Sequence, residues 1–234
     1  RARPASGGWD APAGRYTLQL SQSSLPTPGQ AAKEAFVIPV NIGLVAADGR
    51  ALPLQLDGEA AASGDSRTLV LSQASEQFVF TGLDAEPVPS ILRGFSAPVV
   101  LEYDFSDAQL LTLLAHDTDP FNRWEAAQRL ALRAALAAIR EPQAADAPVL
   151  SAGFIEAMRD VLRHPQLDAA FKELVLTLPA EGYIAEQLDV VDPQRVHAVR
   201  ERMRQQLATA LAADWQWVFE ENRATGAYSP VPLP

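Results

Sequence analysis

Cysteine is absent from all 234 residues, which excludes disulfides, thiol nucleophiles and cysteine-ligated metals together. That absence fits a reducing compartment, and a cytoplasmic location is the expectation. Histidine is scarce. His116 precedes Asp117, His164 precedes Pro165 and His197 precedes Ala198, so none stands in the i, i+4 pairing of a His-Glu-x-x-His zinc helix. Basic charge is also short, with 19 Lys and Arg against 29 Asp and Glu and a formal charge of -10, so a phosphate backbone would be repelled and no nucleic-acid partner is expected. The densest basic stretch, Arg195, Arg200, Arg202 and Arg204, is interrupted by Glu201 and reads as a solvated helix face. No apolar run is long enough to span a bilayer, and no membrane partner is expected. The first eight residues lack the apolar centre of a secretory signal, and both ends read as cut from a longer chain.

Catalytic settings are missing as well. Ser96 in Gly94-Phe-Ser-Ala-Pro98 lacks the second glycine of a Gly-x-Ser-x-Gly elbow. Gly7-Gly8 and Gly94 are too isolated to form a phosphate-cradling loop. The densest polar cluster, His116-Asp117-Thr118-Asp119, reads as a turn, because Asp119 already serves as the cap before Pro120. Trp124, Glu125, Trp215 and Trp217 could line an aromatic peptide cleft, but aromatics on helical stripes read first as core. Arg123 and Glu125 would tie their helix to the preceding domain. No catalytic, cofactor-binding or metal-ligating residue is assigned.

What is present is 48% hydrophobic side chains, enough to build a core. From Tyr16 to Tyr103 the apolar residues recur mostly at every second position: Tyr16/Leu18/Leu20, Phe36 to Leu44, Leu52/Leu54/Leu56, Leu69/Leu71, Phe78/Phe80 and Val99/Leu101/Tyr103. Turn residues lie between them at Pro26 to Gly29, Asp48-Gly49 and Gly58 to Arg67. About seven short strands without an intervening helix predict an immunoglobulin-like β-sandwich over residues 1–105. Pro39 and Pro53 should sit at edges or bulges, since each removes a ladder donor.

The period then becomes helical over residues 106–234. Ser106 caps a helix to about Ala115, and Asp119-Pro120 starts another with a stripe of Trp124, Ala127, Ala131, Ala134, Ala135 and Ala138. Ser151 opens a third helix to about Arg163, Pro165 and Asp168 bracket a fourth, and Pro179 to Gly182 ends it. Asp192-Pro193 then begins roughly thirty residues of helix carrying Val196, Val199, Met203, Leu207, Leu211 and Val218. Such a stripe should be partly exposed unless further helices follow it. The fold expected is all-β followed by all-α, with antiparallel helical hairpins opening a solenoid-like domain.

Several segments together resemble bacterial aminopeptidase N, the zinc-dependent alanyl aminopeptidase family. They are Tyr16 to Gln22, Pro26 to Gln30, Leu92-Arg-Gly-Phe-Ser-Ala-Pro98, Leu101-Glu-Tyr103 and Ala115-His-Asp-Thr-Asp-Pro-Phe-Asn-Arg-Trp-Glu-Ala126. The resemblance implies a small β-sandwich and the first part of a helical domain that closes over the active site. The family's zinc helix and its Gly-Ala-Met-Glu-Asn segment would lie upstream, so no site residue carries over. Zinc is implied for the parent enzyme alone, the expected partners are the missing catalytic domain and remaining helices, and peptide substrates are implied only for the full-length enzyme. The alternative is an independent peptide- or protein-binding module.

Overall fold

A computed structural model describes residues 5–141 and 147–223. They hold seven strands, β1 (Ser6–Asp10), β2 (Arg15–Ser21), β3 (Ile38–Val45), β4 (Gln55–Leu56), β5 (Arg67–Leu71), β6 (Ser75–Thr81) and β7 (Val88–Ile91), then a 3-10 turn (Arg93–Phe95). Seven helices follow: α1 (Asp107–His116), α2 (Pro120–Arg140), α3 (Ala152–Arg163), α4 (Ala169–Leu176), α5 (Glu181–Ala185), α6 (Pro193–Ala210) and α7 (Ala212–Glu221). The chain divides into two compact units meeting between Leu130 and Ala131.

In the first unit, antiparallel sheets of order β1-β2-β6-β4 and β5-β3-β7 form an immunoglobulin-like sandwich. Period-two alternation places Tyr16, Leu18 and Leu20 of β2, Val40, Ile42 and Leu44 of β3, Leu69 and Leu71 of β5 and Phe80 of β6 in its core. Each fully buried side chain of this size contributes roughly 1.5–3 kcal/mol.

Three strand expectations need correction. Phe36 is exposed and precedes β3, its backbone held on both sides by the Gln22 carboxamide. Of the Leu52 to Leu56 run, only Gln55–Leu56 pairs as a strand. Val99 to Tyr103 is not a strand; among the described residues its one pairing is an isolated bridge from Tyr103 to Ala5. The glycine-rich start is β1, where a Cβ on Gly7 would lie 2.1 Å from the Tyr16 hydroxyl, so only glycine lets the strands meet there. The strand that periodicity misses is β7, Val88-Pro-Ser-Ile, buried at all four positions and therefore without alternation.

Pro39 lies in the central strand of its sheet, but at a position where only β5 runs alongside; β7 pairs from Ile42 onward. The missing donor therefore interrupts no ladder. Pro53 lies outside the strands.

Helix starts follow local chemistry. Ser106 and Gln109 form a reciprocal capping box on α1, and Asp119, Ser151, Asp168 and Asp192 each accept a backbone N–H of the helix they open. In the second unit α7 packs on α3 and α6, α4 on α3, and α5 on α6. The thirty-residue helix is in fact two, because Leu211 at φ -109° and ψ 19° leaves helical geometry between α6 and α7. Its stripe is not left open, either: Val196, Val199, Met203, Leu207 and Leu211 are buried and only Val218 is half-buried. Gly182, read as a helix stop, lies inside the short α5.

Candidate functional site

The two most specific motif segments, 92–98 and 115–126, meet in space within the first unit. Arg93 Nη2 donates to Asp117 Oδ1 at 3.0 Å and to Thr118 Oγ1, while its Nη1 donates to Asp65 O at 2.8 Å and Ser66 Oγ at 2.6 Å. Gly94 N donates to Asp119 Oδ2 at 2.8 Å, and the other oxygen of the same carboxylate accepts Asn122 N at 2.9 Å. Asp119 thus caps α2 and grips the 3-10 turn at once. Asn122 Nδ2 continues to Ser90 Oγ at 2.8 Å and Ile91 O at 3.1 Å, which fixes α2 against β7. Sequence reasoning found the cap of Asp119 but missed Ser90 and Arg93. The available signal was that both segments carried the same family resemblance.

Four charged side chains in this knot, Arg93, Asp117, Asp119 and Arg123, are each at least nine-tenths buried. Burial raises the Asp117 carboxyl above its ordinary value, although Ser90, the Asp119 backbone and Arg93 pull the other way. Burial likewise lowers the Arg123 guanidinium, with Asp117 opposing. Arg123 Nη2 donates to Ala115 O at 3.2 Å, so it ties α2 to α1 rather than to the sandwich. Glu125 pairs with Arg129 one turn along its own helix. Arg93 lies so close over β3 that a Cβ on Gly43 would sit 2.5 Å from Nη1. Asp117 is 1% exposed, so the most perturbed acid of the cluster cannot meet a substrate. The knot holds elements in place.

The residues of the 3-10 turn pay for this grip in backbone strain. Leu92, Gly94 and Phe95 have φ of 61°, 62° and 53°, and the two non-glycine residues are held in a region that costs each of them about 1–3 kcal/mol. Phe95 is 67% exposed, with its ring centroid 3.9 Å from that of Phe121, which in turn lies 5.6 Å from Trp124.

The three histidines take structural positions. His116 ends α1 and packs on Gly49, His164 caps α3 and accepts Gln166 N, and His197 Nδ1 lies 2.8 Å from Glu181 Oε1. Among the described residues no three of His, Cys, Asp or Glu gather so as to hold a metal ion. Ser96 Oγ accepts Asn41 N at 2.9 Å. Arg195, Arg200 and Arg202 donate to the carbonyls of Ala138, Pro179 and Ala147, and Arg204 pairs with Glu201; three of the four serve as tethers rather than as an open basic face.

Trp215 and Trp217 are half-buried rather than core. Trp215 lines an open cleft of about 540 Å³ with Leu162, Leu176, Val218 and Phe219, and the Arg163 guanidinium lies 4.3 Å over the Trp217 ring. Arg163 and Arg159 converge on Asp214 at 2.8 and 3.0 Å. Burial alone would raise the Asp214 carboxyl, but these two guanidiniums outweigh it and the net shift is downward.

Residues 4–104 match a domain of unknown function (DUF3458) with an Ig-like fold, and residues 107–233 match a domain of unknown function (DUF3458_C) with ARM repeats. The chain belongs to the DUF3458 family. The DUF3458 chain is 38% identical over 211 residues to aminopeptidase N of Escherichia coli (strain K12), covering 89% of this chain and 23% of that protein. It is 34% identical over 218 residues to aminopeptidase N of Haemophilus influenzae, covering 93% and 25%. Aminopeptidase N of Caulobacter vibrioides is 38% identical over 190 residues, or 80% and 20%. The chain therefore spans about a quarter of the length of these relatives. A solved structure, Legionella pneumophila aminopeptidase A in complex with aspartic acid, has the same fold across 98% of this chain and 24% of its own, at a TM-score of 0.75 and 23% identity. Among the described residues no helix is long and apolar enough to cross a membrane.

Proposed function

We propose that this DUF3458 chain is the non-catalytic scaffold of a zinc-dependent aminopeptidase that removes N-terminal amino acids from peptides. The sandwich acts as a strut, and the helices after it open the domain that shields the active site. The observation that carries this reading is the relationship to aminopeptidase N, at 38% identity over 89% of the chain and only 23% of the relative. Among the described residues no donor set fits zinc, and on this reading the ion and its activated water would be held by polypeptide outside this segment. The partners are accordingly that catalytic portion and further helices, for which the cleft beside Trp215 and Phe219 offers an apolar face. A cysteine-free composition suits the cytoplasm.

The test compares the isolated 234 residues with the product of the complete reading frame, using alanyl p-nitroanilide with and without a chelator. Chelator-sensitive hydrolysis by the long form alone is expected. Hydrolysis by the isolated segment, or an inactive long form lacking a His-Glu-x-x-His helix upstream, overturns the reading.

One observation favours a second reading, an independent peptide- or protein-binding module. The Val196 to Leu211 stripe is buried by helices of its own unit, as a self-contained module would have it. A reading frame without the flanking enzyme sequence would select this alternative.

A further inference from the structure

Two aspartyl-glycine pairs, Asp48-Gly49 and Asp57-Gly58, stand at turns of the sandwich, and the fold treats them differently. In such a pair the glycine amide nitrogen can reach the side-chain carbon of the aspartate, because the following residue has no Cβ to obstruct it. Attack needs an amide free to approach, a carboxyl that can lose an oxygen as water, and room for the backbone to turn.

At Asp48-Gly49 all three are denied. Gly49 N donates to Ala46 O at 2.9 Å. Arg50 engages both oxygens of Asp48, its backbone N–H on Oδ1 and its Nε on Oδ2, each at 3.2 Å, and the backbone contact leads in holding this carboxyl below its ordinary value. The His116 ring fills the remaining space, 2.5 Å from where a Cβ on Gly49 would stand.

At Asp57-Gly58 none is denied. Glu59 N donates to Leu56 O at 3.1 Å, which puts the pair at the centre of a β-turn, and Gly58 at φ 85° supplies the positive angle of a type II turn. The ends of this turn are clamped, with Leu56 N on Glu59 Oε2 at 2.9 Å and Gln55 Nε2 on Glu59 O at 2.8 Å. Its centre is not. Gly58 N has no acceptor among the described residues, and no heavy atom beyond its chain neighbours lies within 4 Å of where its Cβ would be. The exposed Asp57 is held through Oδ1 alone, by Arg15 Nη2 at 2.6 Å. The central peptide can therefore flip toward the carboxyl while the ends stay fixed.

We propose that Asp57 is a site of spontaneous isomerisation to isoaspartate. Gly58 N bonds to the neutral Asp57 carboxyl at Cγ, the Cγ–O bond breaks, and the hydroxyl leaves with the amide proton as water, closing a succinimide. Water then opens the ring at the backbone carbonyl, so the side-chain carbonyl carries the chain and the former backbone carbonyl becomes a free carboxylate. One water leaves and one returns, with no oxidant or cofactor. The product lengthens the turn by a methylene and displaces the carboxylate from Arg15, the ion pair that joins β2 to the end of β4 across β6.

The experiment incubates the folded full-length protein in heavy-oxygen water at mildly acidic pH, digests it in ordinary water and maps the peptides by mass spectrometry. Each passage through a succinimide leaves one heavy oxygen atom, and electron-transfer fragmentation separates isoaspartate from aspartate. Label at Asp57 several times that at Asp48 is expected, and comparable label at the two when the chain is first unfolded in urea. Equal or greater label at Asp48 in the folded protein, label at Asp57 no higher than at the exposed Asp84, or the same preference in urea overturns the proposal. Asp57→Glu, which closes its larger ring far more slowly, should remove the label from this turn and leave Asp48 unchanged; label persisting there overturns it equally.

Discussion

The two compact units fasten their helices by opposite means. Through Leu130, α1 and α2 are joined to the sandwich by a knot in which four charged side chains are buried. From Ala131 onward, the helices meet through an apolar stripe, and the principal charge cluster keeps its Arg159 and Arg163 side chains part-exposed around Asp214. A buried charge network adds little net stability over an apolar equivalent, yet breaking it leaves uncompensated charge and is severe. An apolar stripe stabilises in proportion to area and prescribes orientation less sharply. The first junction is therefore specified by direction, the second by fit.

The comparison breaks hardest at Asp117. Replacing it with Ala strands Arg93 and Arg123 without their shared carboxylate and should destabilise the first unit by about 3–5 kcal/mol in urea unfolding. Asn should be milder, because burial already favours the uncharged carboxyl. In the second unit, Met203→Ala removes a fully buried side chain of α6 and should cost about 2–5 kcal/mol through the cavity it leaves.

A smaller effect separates the units by pH. Asp214→Asn should cost about 1 kcal/mol at neutral pH, the magnitude of a part-exposed ion pair. The folded carboxyl titrates below its ordinary value of 3.8, so that contribution is present above 3.8 and fades as pH falls through the lower folded value. Asp117 has the opposite sign. Its folded carboxyl titrates above 3.8, so the native state binds the extra proton and the first unit gains relative stability from this group as pH falls. Urea titrations of wild type and each Asn variant across the acid range should show the gap closing for Asp214 and reversing in slope for Asp117. The smallest effect belongs to Phe219→Ser, which alters a side chain 64% exposed and should leave stability within about 0.5 kcal/mol. A large loss there would mean that α7 relies on its outer face.

What sequence could reveal divides along the same physical line. Caps at Ser106, Asp119, Ser151, Asp168 and Asp192 were legible because their chemistry is contained within three or four residues. Alternating strands such as β2 and β5 were legible because one face is wet. β7 was not, since all four of its residues are buried and Ser90 is satisfied by Asn122 from 32 residues away. Alternation at Val99 to Tyr103 suggested a strand, but the ladder is decided by a neighbour that sequence does not display. The break at Leu211 was hidden by an unbroken stripe, which registers the spacing of side chains and not the turn of the backbone. Of the knot, only Asp119 could be read; the pairing of Arg93 with Asp117 depends on how a sandwich loop and a helix junction come together.

Pro39 has a consequence for behaviour in solution. Where β3 outruns β7, its open side would ordinarily present a row of amide donors to any extended peptide. Proline offers none at that point, and the next amide on the same side, that of Asn41, is already taken by the Ser96 hydroxyl. Where β7 does not flank it, the central strand thereby offers no free amide at residues 39 and 41, and the covalent ring and a single hydroxyl group together disfavour edge-to-edge pairing there.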